Sequence, residues 1–228
     1  MSPKLSIIMP VCNVENYLAD CLDSALRQSF QDVEIICIND GSTDGSLEIL
    51  HKYEKQDSRV KVIDKPNAGY GAAMNDGLDA ATGTYVGILE SDDYVCEHAW
   101  EKLYALATKS NLDIVKGCYL QFSETKESFF NAITKVDRHC PTWLPQVPFD
   151  TVFTPKDYPR CFWMNPSIWT GIYKRDFLLK NNIRFNETPG ASYQDTSFAF
   201  KVWVSAERAM ATETPVIHYR LDSAFSSS

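Results

Sequence analysis

Five short apolar runs, most followed by a stretch of helical periodicity, govern the first 118 residues. The runs are KLSIIMPV at 4–11, VEIICI at 33–38, VKVI at 60–63, TYVGIL at 84–89 and DIVKGC at 113–118. After the first, apolar residues recur at Val14, Leu18, Cys21, Leu22 and Ala25, the spacing of a buried helical stripe. Later stripes carry Leu47, Leu50 and Tyr53, then AAMNDGLDAA, then residues 97–109, where Trp100 and Tyr104 read as core. Strands alternating with helices in this way predict an α/β fold, with a mostly parallel sheet covered on both faces. In such sheets ligands bind outside the carboxyl ends of the strands.

Three segments fall at those ends: Pro10-Val11-Cys12-Asn13, Asn39-Asp40-Gly41 and Ser91-Asp92-Asp93. The third belongs to GILESDDYV, where Glu90, Asp92 and Asp93 crowd three carboxylates into four residues. Such crowding costs Coulomb repulsion unless something positive sits among them. Clustered oxygens of this kind suit Mg²⁺ or Mn²⁺, which protein carboxylates and substrate phosphates commonly hold together. The plainer alternative is that Asp92 or Asp93 caps the helix near residue 97. Position at the binding edge favours the metal.

Asp40, at the tip of the second strand, fits either a turn or a contact to a nucleobase or ribose, and the strand tip favours the contact. Asn13, Asp44 and Ser46 read as helix caps. No G-x-G-x-x-G follows the first strand, where PVCNVENY stands, and no G-x-x-x-x-G-K-[ST] occurs, so NAD and P-loop chemistry are disfavoured. Gly69-Tyr70-Gly71, after the third strand, allows a ligand close to the backbone.

Composition narrows the classes. A net charge of −8 argues against a nucleic-acid binder and gives no polybasic membrane signal. The start has too short an apolar run for a signal peptide, and no stretch has the length of a membrane span. The seven cysteines are irregularly spaced without a CxxC, which points to a reduced, cytoplasmic protein without structural zinc. Residues 119–170 are rich in Pro, Trp and Phe and lack a period, as expected of a lid or pocket wall. Trp143 is the better candidate there for stacking on a sugar ring; Trp163, Trp169 and Tyr173 fit the core at least as well. Lys174 and Arg175 read as surface charges beside a helix start. Helices are expected at 175–181 and 195–206, with strand-like RAMAT and VIHYR after them. The end, just past a strand-like segment, is what a longer native chain would leave.

PVCNVENYLADCLDSALRQSF, EIICINDGSTDGSLEIL, NAGYGAAMNDGLDAATGTYVGILESDD and WTGIYKRDFL together resemble the family 2 inverting glycosyltransferases of GT-A fold, densely over 4–110 and more loosely over 165–220. The resemblance implies a single GT-A domain, with residues 1–118 as the nucleotide-sugar half and 119–228 as the acceptor half. It places Pro10, Val11, Asn13, Asp40, Asn67 and Gly69 against the nucleotide. It makes Asp92 and Asp93 the diphosphate–metal motif, with Glu90 where an Asp is usual. Asp195, in Tyr193-Gln194-Asp195-Thr196-Ser197-Phe198, becomes the general base, although spacing alone would make it a helix cap. His218 is a further metal candidate, set against an ordinary packed histidine. The implied partners are a nucleotide-sugar donor, with UDP favoured, and a glycan or lipid-linked acceptor, the latter reached at the inner face of a membrane. A nucleotidyltransferase and an inactive nucleotide-sugar-binding module are the competing classes.

Overall fold

The computed structural model describes residues 3–123, 126–131, 147–163, 165–189 and 193–221; Trp143 lies outside them. Among these residues nine strands form one sheet: β1 (Leu5–Val11), β2 (Val33–Asp40), β3 (Val60–Lys65), β4 (Tyr85–Ile88), β5 (Tyr94–Val95), β6 (Ile114–Ser123), β7 (Lys126–Asn131), β8 (Gly171–Lys174) and β9 (Ala209–Arg220). Six α-helices accompany them: α1 (Glu15–Leu26), α2 (Ser46–Gln56), α3 (Tyr70–Ala80), α4 (Ala99–Lys109), α5 (Arg175–Lys180) and α6 (Gln194–Ser205). The strand order is β3-β2-β1-β4-β8-β6-β9-β5, with β7 paired to β6.

The strands β1, β2 and β4 are buried along their whole length, and their pairings with one another and with β3 are parallel. The two-residue side-chain period splits their apolar groups between two cores. Leu5, Ile7 and Met9 of β1, with Val33, Ile35 and Cys37 of β2, pack with Leu18 and Leu22 of α1 and Trp100 and Leu103 of α4. Ile8, Ile36 and Ile38 face the other way, toward Met74 of α3 and Phe198 and Val202 of α6. Removing a side chain such as Leu22, wholly buried, costs about 2–5 kcal/mol.

Two departures from the sequence expectations matter for the site. First, the short strand β8 inserts between β4 and β6, antiparallel to both, so the fifth apolar run is not the neighbour of the fourth. Four residues after an aperiodic Trp-rich stretch give almost no periodic signal. Second, RAMAT and VIHYR lie on one strand, β9, which follows β6 in parallel through two register shifts near Cys118 and pairs β5 through Tyr94–His218. The second half of the chain therefore contributes strands to the same sheet as the first.

The second half is also strapped onto α3. Asn75 donates to the Phe185 carbonyl at 3.1 Å and accepts from the Phe185 amide at 2.9 Å. Arg184 forks onto Asp79 at 2.6 and 2.8 Å. A Cβ on Gly71 would sit 2.1 Å from the Asn186 carbonyl oxygen, so this approach requires glycine. The strap leads into α6 and carries Asp195 toward the strand ends.

Candidate active site

The nucleotide side predicted from sequence is a closed hydrogen-bonded unit. Asp40 is 4% exposed, and its two carboxylate oxygens accept from the Ala68 and Gly69 amides at 2.8 and 2.9 Å. Gly69, at φ +88°, is the N-cap of α3, a backbone region that glycine enters without strain. Asn67 donates to the Asp40 carbonyl at 2.8 Å and to the exposed Cys12 thiol at 3.6 Å. The carboxylate of Asp40, expected at a nucleobase or ribose, thus anchors the loop after β3 at the strand end.

Asn13 is likewise not a helix cap. It adopts a left-handed conformation at φ +55°, and its side-chain oxygen accepts from the Thr43 amide at 2.7 Å. The free amides at the start of α1 are instead served by the loop after β2 and the first residue of α2: Glu15 donates to Asp44 Oδ2 at 3.0 Å and Val14 to Ser46 Oγ at 3.0 Å. Asp44 also accepts from the Ser46 amide at 3.0 Å, so one carboxylate serves the starts of α1 and α2. Pro10 and Val11 pair with Ile38 and Asn39, and the Val11 side chain lies in the core, leaving only its backbone for a ligand.

The acid tip after β4 is organised quite differently. The helix-cap alternative fails, because α4 begins at Ala99 with no side-chain cap. The two expected ligands are not equivalent. Asp92 is half-buried, and its carboxylate makes no hydrogen bond among the described residues. Asp93 is wholly buried; Oδ1 accepts from the Arg220 amide at 2.9 Å and Oδ2 has no partner. Burial, and after it the Asp92 charge, pushes the Asp93 carboxyl well above the usual carboxylate range, against the pull of Arg220. The positive group among the acids is thus Arg220, which no local sequence pattern places there. Its Nε donates to the Asp92 carbonyl at 3.1 Å.

Glu90 accepts from Tyr70 Oη at 2.7 Å. Burial raises its carboxyl to about 7, with the Tyr70 hydrogen bond opposing and the charges of Asp92 and Asp195 adding to the rise. Asp195 acts on three groups of the crevice: Glu90, Tyr70 and Lys116. It is the second residue of α6, half-buried, with Oδ1 accepting from the Thr196 amide at 2.7 Å. The N-cap is Tyr193, so Asp195 is not the cap that spacing alone suggested. Lys116 is buried, donating to Ser167 O at 2.6 Å and Ser167 Oγ at 3.1 Å. Burial lowers its ammonium to about 7, and the Asp195 charge opposes that fall.

The remaining candidates fall outside this cluster's bonding. The His218 ring meets Phe122 edge-on at 6.5 Å, and burial lowers its pKa. Tyr173 is core and donates to the Ile168 carbonyl; Trp169 stacks on Tyr219 with centroids 5.2 Å apart. Lys174 bonds Asn111, whereas Arg175 Nε is buried without a partner, contrary to a plain surface charge. Tyr70 could have been found from its place between two glycines at a strand end. Lys116 and Arg220 are set by contacts that no local pattern encodes.

The tip's own atoms test its fitness for a divalent ion. No group of three or more His, Cys, Asp or Glu side chains forms an ion cage among the described residues. Two adjacent carboxylates carry unsatisfied oxygens, one of them buried. That is a hard, oxygen-only half site, which fits Mg²⁺ or Mn²⁺ completed by a phosphate ligand.

A mostly parallel sheet with unsatisfied acids at the end of β4, and a helix carboxylate whose charge acts on Glu90 beside them, fits the GT-A class of nucleotide-sugar folds. The model of the family named Glycosyl transferase family 2 matches residues 6–193, and the chain belongs to that family. It is 34% identical to the uncharacterized glycosyltransferase EpsJ of Bacillus subtilis (strain 168), over 96% of this chain and 62% of EpsJ. Staphylococcus aureus TarS 1–349 in complex with UDP-GlcNAc superposes with a TM-score of 0.77 at 24% identity, over 99% of this chain and 61% of that one. The mannosyltransferase PcManGT of Pyrobaculum calidifontis, in complex with GDP-Man and Mn²⁺, gives 0.65 at 15% identity, over 100% of this chain and 59% of that one. The chain thus spans about three fifths of the length of these relatives.

Proposed function

We propose that the protein is an inverting glycosyltransferase, moving a sugar from a nucleoside-diphosphate donor, UDP-linked, to a hydroxyl of a glycan or lipid-linked acceptor. The observation that carries this is the pair of adjacent acids with unsatisfied oxygens at the end of β4, with the charge of Asp195 on α6 acting on Glu90 beside them. The loop Asn67–Gly69, held by Asp40, together with Pro10, Val11 and Asn13, lies against the nucleoside. Asp92, with Asp93 Oδ2, would hold the divalent ion, Mn²⁺ or Mg²⁺. When bound, that ion neutralises charge growing on the diphosphate leaving group. Asp195 accepts the proton of the acceptor hydroxyl, whose oxygen attacks the anomeric carbon from the face opposite the departing phosphate. A single displacement of that kind inverts the configuration.

Support for a nucleotide-sugar donor comes from TarS and PcManGT, crystallised with UDP-GlcNAc and with GDP-Man and Mn²⁺. Family membership weighs against a nucleotidyltransferase. No helix among the described residues is long and apolar enough to cross a membrane; we place the reaction in the cytoplasm, peripheral to the membrane where the acceptor is lipid-linked. The test is thermal unfolding with UDP, GDP and CTP, each with and without Mn²⁺. UDP with Mn²⁺ is expected to stabilise most, by about 2.7 kcal/mol at a hundredfold excess over Kd. Stabilisation by UDP indifferent to Mn²⁺ and chelator, or a preference for CTP, overturns the assignment.

A further inference from the structure

Arg220 is the last residue of β9 and is 1% exposed. Its guanidinium lies over three rings, 4.6 Å from the Tyr17 centroid, 4.8 Å from Phe122 and 5.2 Å from Tyr94. Nη2 donates to the Tyr94 hydroxyl, Nε to the Asp92 carbonyl at 3.1 Å, and the backbone amide to Asp93 Oδ1 at 2.9 Å. Tyr94 and Phe122 themselves stack with centroids 5.0 Å apart. Four features of this arrangement are notable together. The cation bonds the backbone of Asp92 and leaves that carboxylate unbonded. The amide occupies one oxygen of Asp93 and leaves the other without a partner. The planar fork is fixed by aromatic faces, a use for which lysine is a poor substitute. The contact spans 127 residues, so it joins the tip to the far half of the chain.

We propose that Arg220 is a positioning residue for the divalent cation: it sets the backbone of the acid tip so that Asp92, and Asp93 Oδ2 behind it, remain available to the ion. This rests on the assignment of the tip as the cation site. It makes that site a joint product of β4 and β9, with the box of Tyr17, Tyr94 and Phe122 as its frame.

The experiment measures Mn²⁺ bound to the full chain at saturating UDP, from the electron paramagnetic resonance signal of the free ion, alongside metal-free UDP affinity and the melting transition. Arg220→Met is expected to keep its metal-free UDP affinity and to bind Mn²⁺ about 10–100-fold more weakly. Arg220→Lys, which retains charge but not the fork, is expected to recover only part of the loss. Tyr94→Phe, which removes one bond and no ring, is expected to weaken Mn²⁺ about threefold. Should Arg220→Met not fold, the other two variants decide. Wild-type Mn²⁺ affinity in the folded arginine variants, while Asp92→Asn has lost it, overturns this inference alone. Absence of UDP-dependent Mn²⁺ binding in the wild type overturns the cation assignment and this inference with it.

Discussion

The two rims sit at the ends of β2 and β4, with β1 between them, and are built on opposite principles. On the β2 rim every carboxylate oxygen of Asp40 has a backbone amide, and Asn67 and Gly69 are locked to it. On the β4 rim Asp92 bonds nothing with its carboxylate, Asp93 keeps an unpartnered buried oxygen, and Glu90 is raised to about 7. A satisfied cluster fixes shape; an unsatisfied one stores free energy that a ligand of opposite charge releases. The first rim is therefore set by geometry and the second by charge. Each can be broken separately.

The largest effect belongs to Asp195, the carboxylate whose charge acts on Glu90 and Tyr70. Asp195→Asn is expected to lower transfer by about 10²–10⁴-fold while UDP binding with Mn²⁺ stays near wild type. Single-turnover kinetics beside calorimetry checks this, and loss of binding in parallel would assign Asp195 to the donor site instead. Next comes the satisfied rim. Asp40→Ala strands the buried Gly69 amide, at about 1–3 kcal/mol, and releases the part-buried Ala68 amide, so the melting temperature should fall. UDP affinity should fall with it, whether or not Mn²⁺ is present. A nucleotide affinity unchanged in a loosened protein would mean that the Asn67–Gly69 loop is not the nucleoside wall.

The fold's first half was legible because β1, β2 and β4 are buried on both faces and so read as unbroken apolar runs, while α1 and α4 carry full stripes. The tip was legible for the reason that makes it reactive: three acids in four residues break every rule of a quiet turn. What stayed hidden depends on long-range contact. β8 is four residues whose strand character comes from being clasped between β4 and β6. The bonds of Asp40 and Asn13 have no local signature, because their partners, Ala68, Gly69 and Thr43, are far along the chain. Arg220 sits at a strand end whose neighbours in sequence say nothing about Asp93.

On the unsatisfied rim the expected change carries a sign that the other rim cannot imitate. Asp92→Asn removes one charge from a crowded set and should stabilise the metal-free protein by about 1 kcal/mol, or roughly 2–4 °C for a chain of this length. The same variant should lose the further rise that UDP with Mn²⁺ gives the wild type. A variant melting below wild type without metal would mean that the Asp92 charge has a protein partner, and the contrast between the rims would fail.

The smallest effect probes the lysine on which the Asp195 charge acts. Lys116 titrates at about 7 in the folded chain, against 10.5 for an ordinary lysine, because burial disfavours its charged form. Between those values the unfolded chain binds a proton that the folded chain does not, so stability rises with pH, by at most about 1.4 kcal/mol per unit. It is lost again as pH falls toward 7, where the folded lysine also takes up its proton. Lys116→Met removes the group and with it that slope. Denaturant unfolding from about pH 7.5 to about pH 9 should therefore show the wild type gaining on the variant as the pH rises. Parallel profiles would mean that Lys116 keeps its proton throughout, and a permanently charged ammonium near Asp195 would then hold that carboxylate ionised, making it a weaker base for the acceptor hydroxyl than an isolated one.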